Sequence, residues 1–337
     1  MSAMQRAAVL RETGPVDGNR LAIEQRELRP LRAGEIRVEV RACGVCRTDL
    51  HIVEGELPPR HASIVPGHQI VGTVAAAAPG VGLAAGTRVG ISWLGGVDGT
   101  CRFCRDGREN LCDAPVFTGY DVDGGYATEV IARSDFAYPL SDRLDDLHAA
   151  PLLCAGIIGF RALRVAGVAP GERVGLYGFG SSAHLALPVL KHWGCDVFVA
   201  TRGAKHRAFA ERLGADEIGN ETARPARPLD RAVTFAPSGD VVVAALGALR
   251  KGGIVAINAI HLDRMPQFDY DALLWGEREI RSVANMTRAD ARDFLALAAE
   301  IGLEPETTVF PLERVNDALR AVKNDAVDGA AVVAIGS

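Results

Sequence analysis

The sequence predicts a two-domain α/β protein, in which a twisted, barrel-like β domain accompanies a parallel sheet with helices on both faces. Three observations carry this. The chain has 337 residues, 48% of them hydrophobic, which exceeds one ordinary core and suffices for two. Its first third consists of short Val-, Ile- and Leu-rich runs separated by Gly, Pro and Asn, the pattern of strands. From residue 173 the period changes to alternating strand and helix, the pattern of βαβ units.

In order, residues 4–9, 22–28 and 35–42 read as strands, followed by Ile70 to Ala75 and Arg88 to Ile91, which turn through Pro79-Gly80 and Ala85-Gly86. Residues 98–112 form a polar lobe with little apolar content of its own. Arg173 to Gly178 is a strand, His184 to Lys191 a helix and Val197 to Thr201 the next strand. Lys205–Leu213, Asp230–Phe235, Gly239–Leu249, Gly253–Ile257 and Glu279–Ala284 continue the alternation. A helix (Ala289–Ile301), a strand (Thr307–Phe310), a helix (Leu312–Lys323) and a strand (Ala330–Ile335) follow, without internal repeats.

A formal net charge of -5 argues against a nucleic-acid surface, which requires concentrated Lys and Arg, and leaves small molecules as partners. The apolar run from Ala149 to Phe160 is too short to span a bilayer, and no secretion signal is visible, so a soluble cytoplasmic protein without membrane contact is expected. Seven cysteines, an odd number, point to metal or catalytic use rather than a disulfide framework. Cys195 alone reads as a small buried filler.

Cys46 and His68 are two good zinc ligands, with Thr48, Asp49 and His51 directly after the thiol. A catalytic metal needs a third soft ligand and an open position. In the lobe, Cys101-x2-Cys104-x7-Cys112 has the close spacing of a structural zinc site, and Asp98 can supply a fourth, carboxylate ligand. The alternative is a metal-free lobe with reduced thiols. A redox dithiol formed by Cys43 and Cys46 is a competing reading of that pair.

Gly178-x-Gly180-Ser181-Ser182-Ala183 stands where strand gives way to helix. The first glycine allows the tight turn, the second lets backbone approach a pyrophosphate, and the small Ala183 permits close packing, with the helix N-terminus receiving phosphates. A packing turn in another α/β domain is the alternative. The second strand ends without the acidic residue that would hold an adenosine ribose. Thr201, Arg202 and Lys205 offer instead a hydroxyl and cations suited to a 2′-phosphate, which predicts NADP(H) over NAD(H).

Taken together, the Cys-Arg-Thr-Asp-Leu-His segment, Pro-Gly-His, the cysteine lobe and the late Gly-x-Gly-x-x-Ala resemble the zinc-dependent medium-chain alcohol dehydrogenases. Trp93-Leu94, Phe117 to Tyr120, Pro151 to Ile157 and Ser282 to Asn285 look closest to the bacterial branch related to cinnamyl alcohol dehydrogenases. The resemblance covers essentially the whole chain. It implies a GroES-like catalytic domain from residues 1–155 and 286–337, with a Rossmann domain inserted at residues 156–285, and a homodimer or homotetramer. It assigns a catalytic Zn2+ to Cys46, His68 and Cys154, leaving Cys43 outside the ligand set. Thr48 and His51 match a proton relay from the reacting oxygen through the cofactor ribose to solvent, and Asp49 a residue orienting the ligand histidine. Trp93, Leu94, Tyr120 and Ile260 match positions near the substrate, implying an aromatic or medium-length aliphatic alcohol or aldehyde. Ile260 and Asn285 also match cofactor-side positions.

Two residues depart from the family pattern. Gln69 replaces the glutamate of Pro-Gly-His-Glu, removing a carboxylate that can approach the zinc, so ligand exchange is expected to be slower. Asp98 replaces the first of four lobe cysteines. Reduction of a conjugated C=C or C=N bond on the same fold, and a cofactor-binding protein without turnover, are the alternative functions. The intact Thr48 and His51 relay argues against the second.

Overall fold

The computed structural model describes residues 4–327 and 329–336. They form two compact units, one running up to Cys154 and again from Thr287, the other Ala155–Met286.

In the first unit a seven-stranded sheet is built around the long strand Glu35–Val45. Gln69–Ala77 pairs antiparallel along one edge of it. The other edge is shared, Glu129–Arg133 taking Glu35 to Glu39 and Ala330–Ala334 taking Ala42 to Val45. Register breaks between Arg37 and Val38 and between Val40 and Ala42 curl the strand, as bulges do. Thr307–Pro311 lies beyond Ala330–Ala334, with Arg88–Ile91 and Ala137–Pro139 on the opposite side. The alternation of Ile36, Val38 and Val40 with polar residues feeds one core, which also takes Ile70, Tyr126 and Val333. Two hairpin-like pairs, Met4–Leu10 with Leu21–Glu27 and Leu94–Gly96 with Val116–Phe117, complete the β structure.

The second unit holds six parallel strands. Their order is Glu217–Gly219, Asp196–Ala200, Arg173–Tyr177, Leu229–Thr234, Leu249–Ile257 and Glu279–Ser282. The chain winds outward from Arg173–Tyr177 in both directions, so the order reverses beside that strand, where doubly wound sheets bind ligands.

Several expectations are corrected in detail. The second strand ends at Ala200, so Thr201 stands in the loop beyond it. The last sheet-edge strand ends at Ser282, and Leu312–Lys323 divides into a 3-10 turn and the helix Val315–Lys323. The apolar run at Ala149 belongs to a longer helical stretch than its composition suggested. Asp146–Pro151, a π-helical Leu152–Gly156 and Ile157–Ala166 run on as 21 residues, long and apolar enough to cross a bilayer. Because 72% of its most apolar window is buried inside the protein, its hydrophobicity is that of a core helix. Asp145 caps its start by accepting the Leu147 and His148 N–H groups.

Candidate active site and metal centres

Strand Glu35–Val45 stops at Cys46, which caps helix Arg47–Glu54 in extended conformation. One oxygen of Asp49 accepts the Cys46 N–H at 2.9 Å, closing the helix N-terminus. Its other oxygen lies 3.2 Å from His68 Nδ1. That contact places the ring proton on Nδ1 and turns Nε2 toward Cys46 Sγ, 3.4 Å away. Cys154 comes from the π-helical turn Leu152–Gly156, and one ligand atom each of Cys46, His68 and Cys154 lies within 4.8 Å of the others.

Asp49 and His68 are fully buried. The Cys154 hydrogen bond lowers the Cys46 thiol well below its ordinary value, against burial and with help from His68, while the same bond and burial push Cys154 up. Burial lowers His68, but Asp49 and Cys46 outweigh it and raise the imidazole to about 10. A buried thiolate, thiol and imidazole that crowd their protons together form a donor set that a dication satisfies. Bond lengths to tetrahedral zinc imply ligand separations of about 3.4–3.8 Å, and the observed 3.4 Å between Sγ and Nε2 fits.

Around this centre, Trp93 meets His68 edge-on at 5.0 Å and stacks on Phe117 at 4.8 Å, with Tyr120 at 6.1 Å. Tyr120 is buried and donates to the Pro58 carbonyl. Leu94 is wholly buried in its strand, so it presents no free surface. Thr48 is buried in the first turn of helix Arg47–Glu54, and His51, one turn on, directs Nδ1 at the Glu56 carboxylate. Gln69 pairs with Gly44 across the strands. Its side chain lies where a Gly44 Cβ would stand, and its buried Nε2 has no hydrogen-bond partner among the described residues. Cys43 is sealed in the core, its thiol raised by burial, which removes it as an exchangeable dithiol partner of Cys46.

The lobe gathers Asp98, Cys101, Cys104 and Cys112 within the same 4.8 Å. Asp98 Oδ1 accepts the Thr100 and Cys101 N–H groups at 2.7 and 2.8 Å, and its Oδ2 lies 3.2 Å from Cys112 Sγ. Those N–H groups hold its carboxyl well below the usual range. The Asp98 and Ala114 N–H groups donate to Cys112 Sγ, and that of Cys104 to Cys101 Sγ. Burial and the neighbouring thiols push Cys104 up to about 12. Sulfur atoms that collect amide donors and one another fit a bound dication, which would relieve their shared proton. Glu109 fastens the lobe by accepting the Arg288 N–H and Nε–H at 3.1 Å.

In the second unit Gly178 turns at φ +88 with the Ala236 nitrogen 2.9 Å from any Cβ there. Gly180 starts helix Ser181–His192, which has no side-chain cap, and beyond its chain neighbours no atom of the described residues lies within 4 Å of a Gly180 Cβ. This open cradle before uncapped Ser181, Ser182 and Ala183 N–H groups suits a diphosphate. Thr201 is buried and accepted by Gly219 through its backbone, Lys205 is exposed, and the Arg202 guanidinium, 82% exposed, pairs with Glu221 at 3.0 Å. Ile260 is 66% exposed. Asn285 takes a left-handed conformation, φ 55, its side chain accepting the Met286 N–H.

Residues 32–142 match the family described as alcohol dehydrogenase GroES-like domain. The chain is 46% identical to "Probable alcohol dehydrogenase AdhA" of Mycobacterium tuberculosis (strain CDC 1551 / Oshkosh), over 99% of this chain and 97% of that protein. The chain belongs to the zinc-dependent medium-chain alcohol dehydrogenases. A Geobacillus stearothermophilus alcohol dehydrogenase is 34% identical over 94% of this chain and 96% of its own. A cinnamyl alcohol dehydrogenase structure from Sorghum bicolor superposes with a TM-score of 0.87 at 25% identity, covering 98% of both chains. The GroES-like and doubly wound architecture of this alcohol dehydrogenase is therefore that of its family.

Within this dehydrogenase, sequence reasoning passed over three groups. Glu56, which faces His51, follows the helix in a polar loop and carries no motif. Glu109 lies among lobe residues that looked merely polar. His206 bonds the Phe179 carbonyl at 2.7 Å, and its place in a basic stretch suggested charge, not a directed donor.

Proposed function

We propose that this alcohol dehydrogenase is a zinc enzyme that interconverts an aldehyde and an alcohol with NADP(H) in preference to NAD(H). The convergence of Cys46, His68 and Cys154 beside Thr48 and His51 carries the reading. Bound there, zinc supplies Lewis-acid polarisation of the substrate oxygen, and the dinucleotide supplies or accepts the hydride. Asp49 keeps His68 Nε2 turned inward. The Thr48 hydroxyl takes or returns the proton of the reacting oxygen, and His51, with Glu56 accepting from Nδ1, passes it on toward solvent. Asp98, Cys101, Cys104 and Cys112 hold a second zinc that braces the lobe.

The aromatic wall of Trp93, Phe117 and Tyr120 supports an aromatic or medium-length aliphatic substrate. Arg202 and Lys205, with no acidic residue at the second strand's end, support a 2′-phosphate. Seven free thiols support a reducing, cytoplasmic setting. The outer strand Glu279–Ser282 offers an edge for pairing into a homodimer or a homotetramer, which sedimentation would measure.

Purified protein incubated with NADPH or NADH and a panel of aldehydes, enals and imines, with and without chelator, tests the reading. Chelator-sensitive aldehyde reduction is expected, faster with NADPH. Chelator-insensitive reduction of enals or imines would instead establish the C=C or C=N chemistry, the alternative that the missing carboxylate at Gln69 keeps open.

A further inference from the structure

The glycine turn of the second unit is held by an imidazole. His206 Nδ1 lies 2.7 Å from the carbonyl oxygen of Phe179, the residue between Gly178 and Gly180. A carbonyl only accepts, so Nδ1 carries the proton and donates. His206 stands in the first turn of helix Ala204–Arg212, and Phe209 follows three residues later on the same face. Phe209 meets the Phe179 ring edge-on at 5.8 Å and the His184 ring at 5.5 Å. His184, in the first turn of helix Ser181–His192, brings its own Nδ1 to 3.3 Å from the Gly180 carbonyl. Two helices are thus clamped onto one three-residue turn.

The two ends of that turn are held differently. The Gly178 N–H donates to the Ala200 carbonyl at 2.7 Å, whereas Gly180 has open space where a side chain would be. The Phe179 peptide is where the helix following the second strand reaches in. The same helix carries Lys205, and Thr201 and Arg202 precede it, so one hydrogen bond fixes both the turn and the segment read as the 2′-phosphate site.

We infer that His206 is a positioning residue for the dinucleotide, its Nδ1–H holding the Phe179 carbonyl so that the N–H groups from Ser181 to Ala183 stay aimed at the diphosphate. The inference rests on the cofactor reading above. Loss of one part-buried hydrogen bond to a carbonyl corresponds to up to about a tenfold change in an equilibrium constant.

Three variants of the full chain separate a directed donor from mere bulk. His206→Asn keeps an amide N–H where Nδ1 stands, His206→Gln moves it to the Nε2 position, and His206→Phe removes it. Kd for NADPH and NADH is measured without substrate, and KM and kcat with an aldehyde that the unmodified chain reduces. Phe and Gln variants are expected to weaken both dinucleotides about tenfold, raising KM more than they change kcat, with Asn within about twofold of the unmodified chain. If the Phe variant does not fold, the Asn and Gln pair decides. Unchanged binding in the Gln variant, an Asn variant as weak as Gln, or weakening confined to NADPH overturns the proposal. Failure of the unmodified chain to bind either dinucleotide overturns the cofactor reading itself, and the proposal with it.

Discussion

Asp49 Oδ1 lies 3.2 Å from His68 Nδ1, and neither side chain is exposed. The same carboxylate caps helix Arg47–Glu54 through the Cys46 N–H, so one residue sets both the helix start and the direction of His68 Nε2. Asp49→Asn retains an acceptor but removes the charge, and zinc affinity is expected to fall about tenfold to a hundredfold. Asp49→Ala also loses the cap, costing a further ~1 kcal/mol of stability. Chelator competition and urea denaturation of both variants check this, and zinc retention equal to the unmodified chain would sink it.

Gly178 and Gly180 are predicted to fail in opposite ways. Gly180→Val fills open space at an ordinary φ of -108, so the melting temperature should hold while dinucleotide Kd rises at least about tenfold. Gly178→Ala meets the Ala236 nitrogen at a left-handed φ of +88, and should cost about 1–3 kcal/mol. Thermal melts paired with cofactor titrations separate the two outcomes.

Metal analysis addresses the lobe. The unmodified chain and Asp98→Cys should each bind about two zinc ions per chain, and Asp98→Ala about one. One zinc in the unmodified chain would mean that the Asp98, Cys101, Cys104 and Cys112 cluster holds none.

Asp230, at the start of strand Leu229–Thr234, titrates below the usual carboxylate range. Burial pushes it up, but the Arg250 guanidinium and the Arg173 N–H outweigh burial. A depressed folded-state value gives stability that is present above the unfolded value of about 4 and is lost as pH falls through the folded one. The gap in urea midpoint between the unmodified chain and Asp230→Asn should therefore be widest near about pH 6 and close toward about pH 3. A gap independent of pH would contradict the assignment.

Gln69 carries an amide whose Nε2 is buried without a partner among the described residues. Restoring a carboxylate with Gln69→Glu should speed turnover by easing exchange at the metal, measured as kcat for aldehyde reduction. An unchanged or lower rate would count against the role given to this position.

The chemistry of the site was legible in the sequence because thiols, imidazoles and glycines at fixed spacing have few other uses. Cys46, His68 and the lobe cysteines could be read as candidate ligands from residue type and spacing. Cys154 could not, since it reaches the centre from a π-helical turn that no periodicity announces, and only the family resemblance supplied it. Helix Arg47–Glu54, at eight residues, is too short to show a clear amphipathic period. Glu129–Arg133 carries only the short Val130-Ile131 strand signal, and its pairing to Glu35–Glu39 is decided by tertiary contacts. The Phe179 and His206 bond depends on where a helix lands, which local sequence does not encode.

The pairing of Ala330–Ala334 with Ala42–Val45 constrains the order of events on the ribosome. The strand leading into Cys46 gains its last neighbour only after residue 334 has been synthesised, so the sheet beside this candidate site is completed late in translation. The unit Ala155–Met286 is contiguous and can collapse while the earlier strands still wait. A translation-arrested chain ending before residue 330 should therefore shield its cofactor-domain amides from exchange while leaving Cys46 open to alkylation.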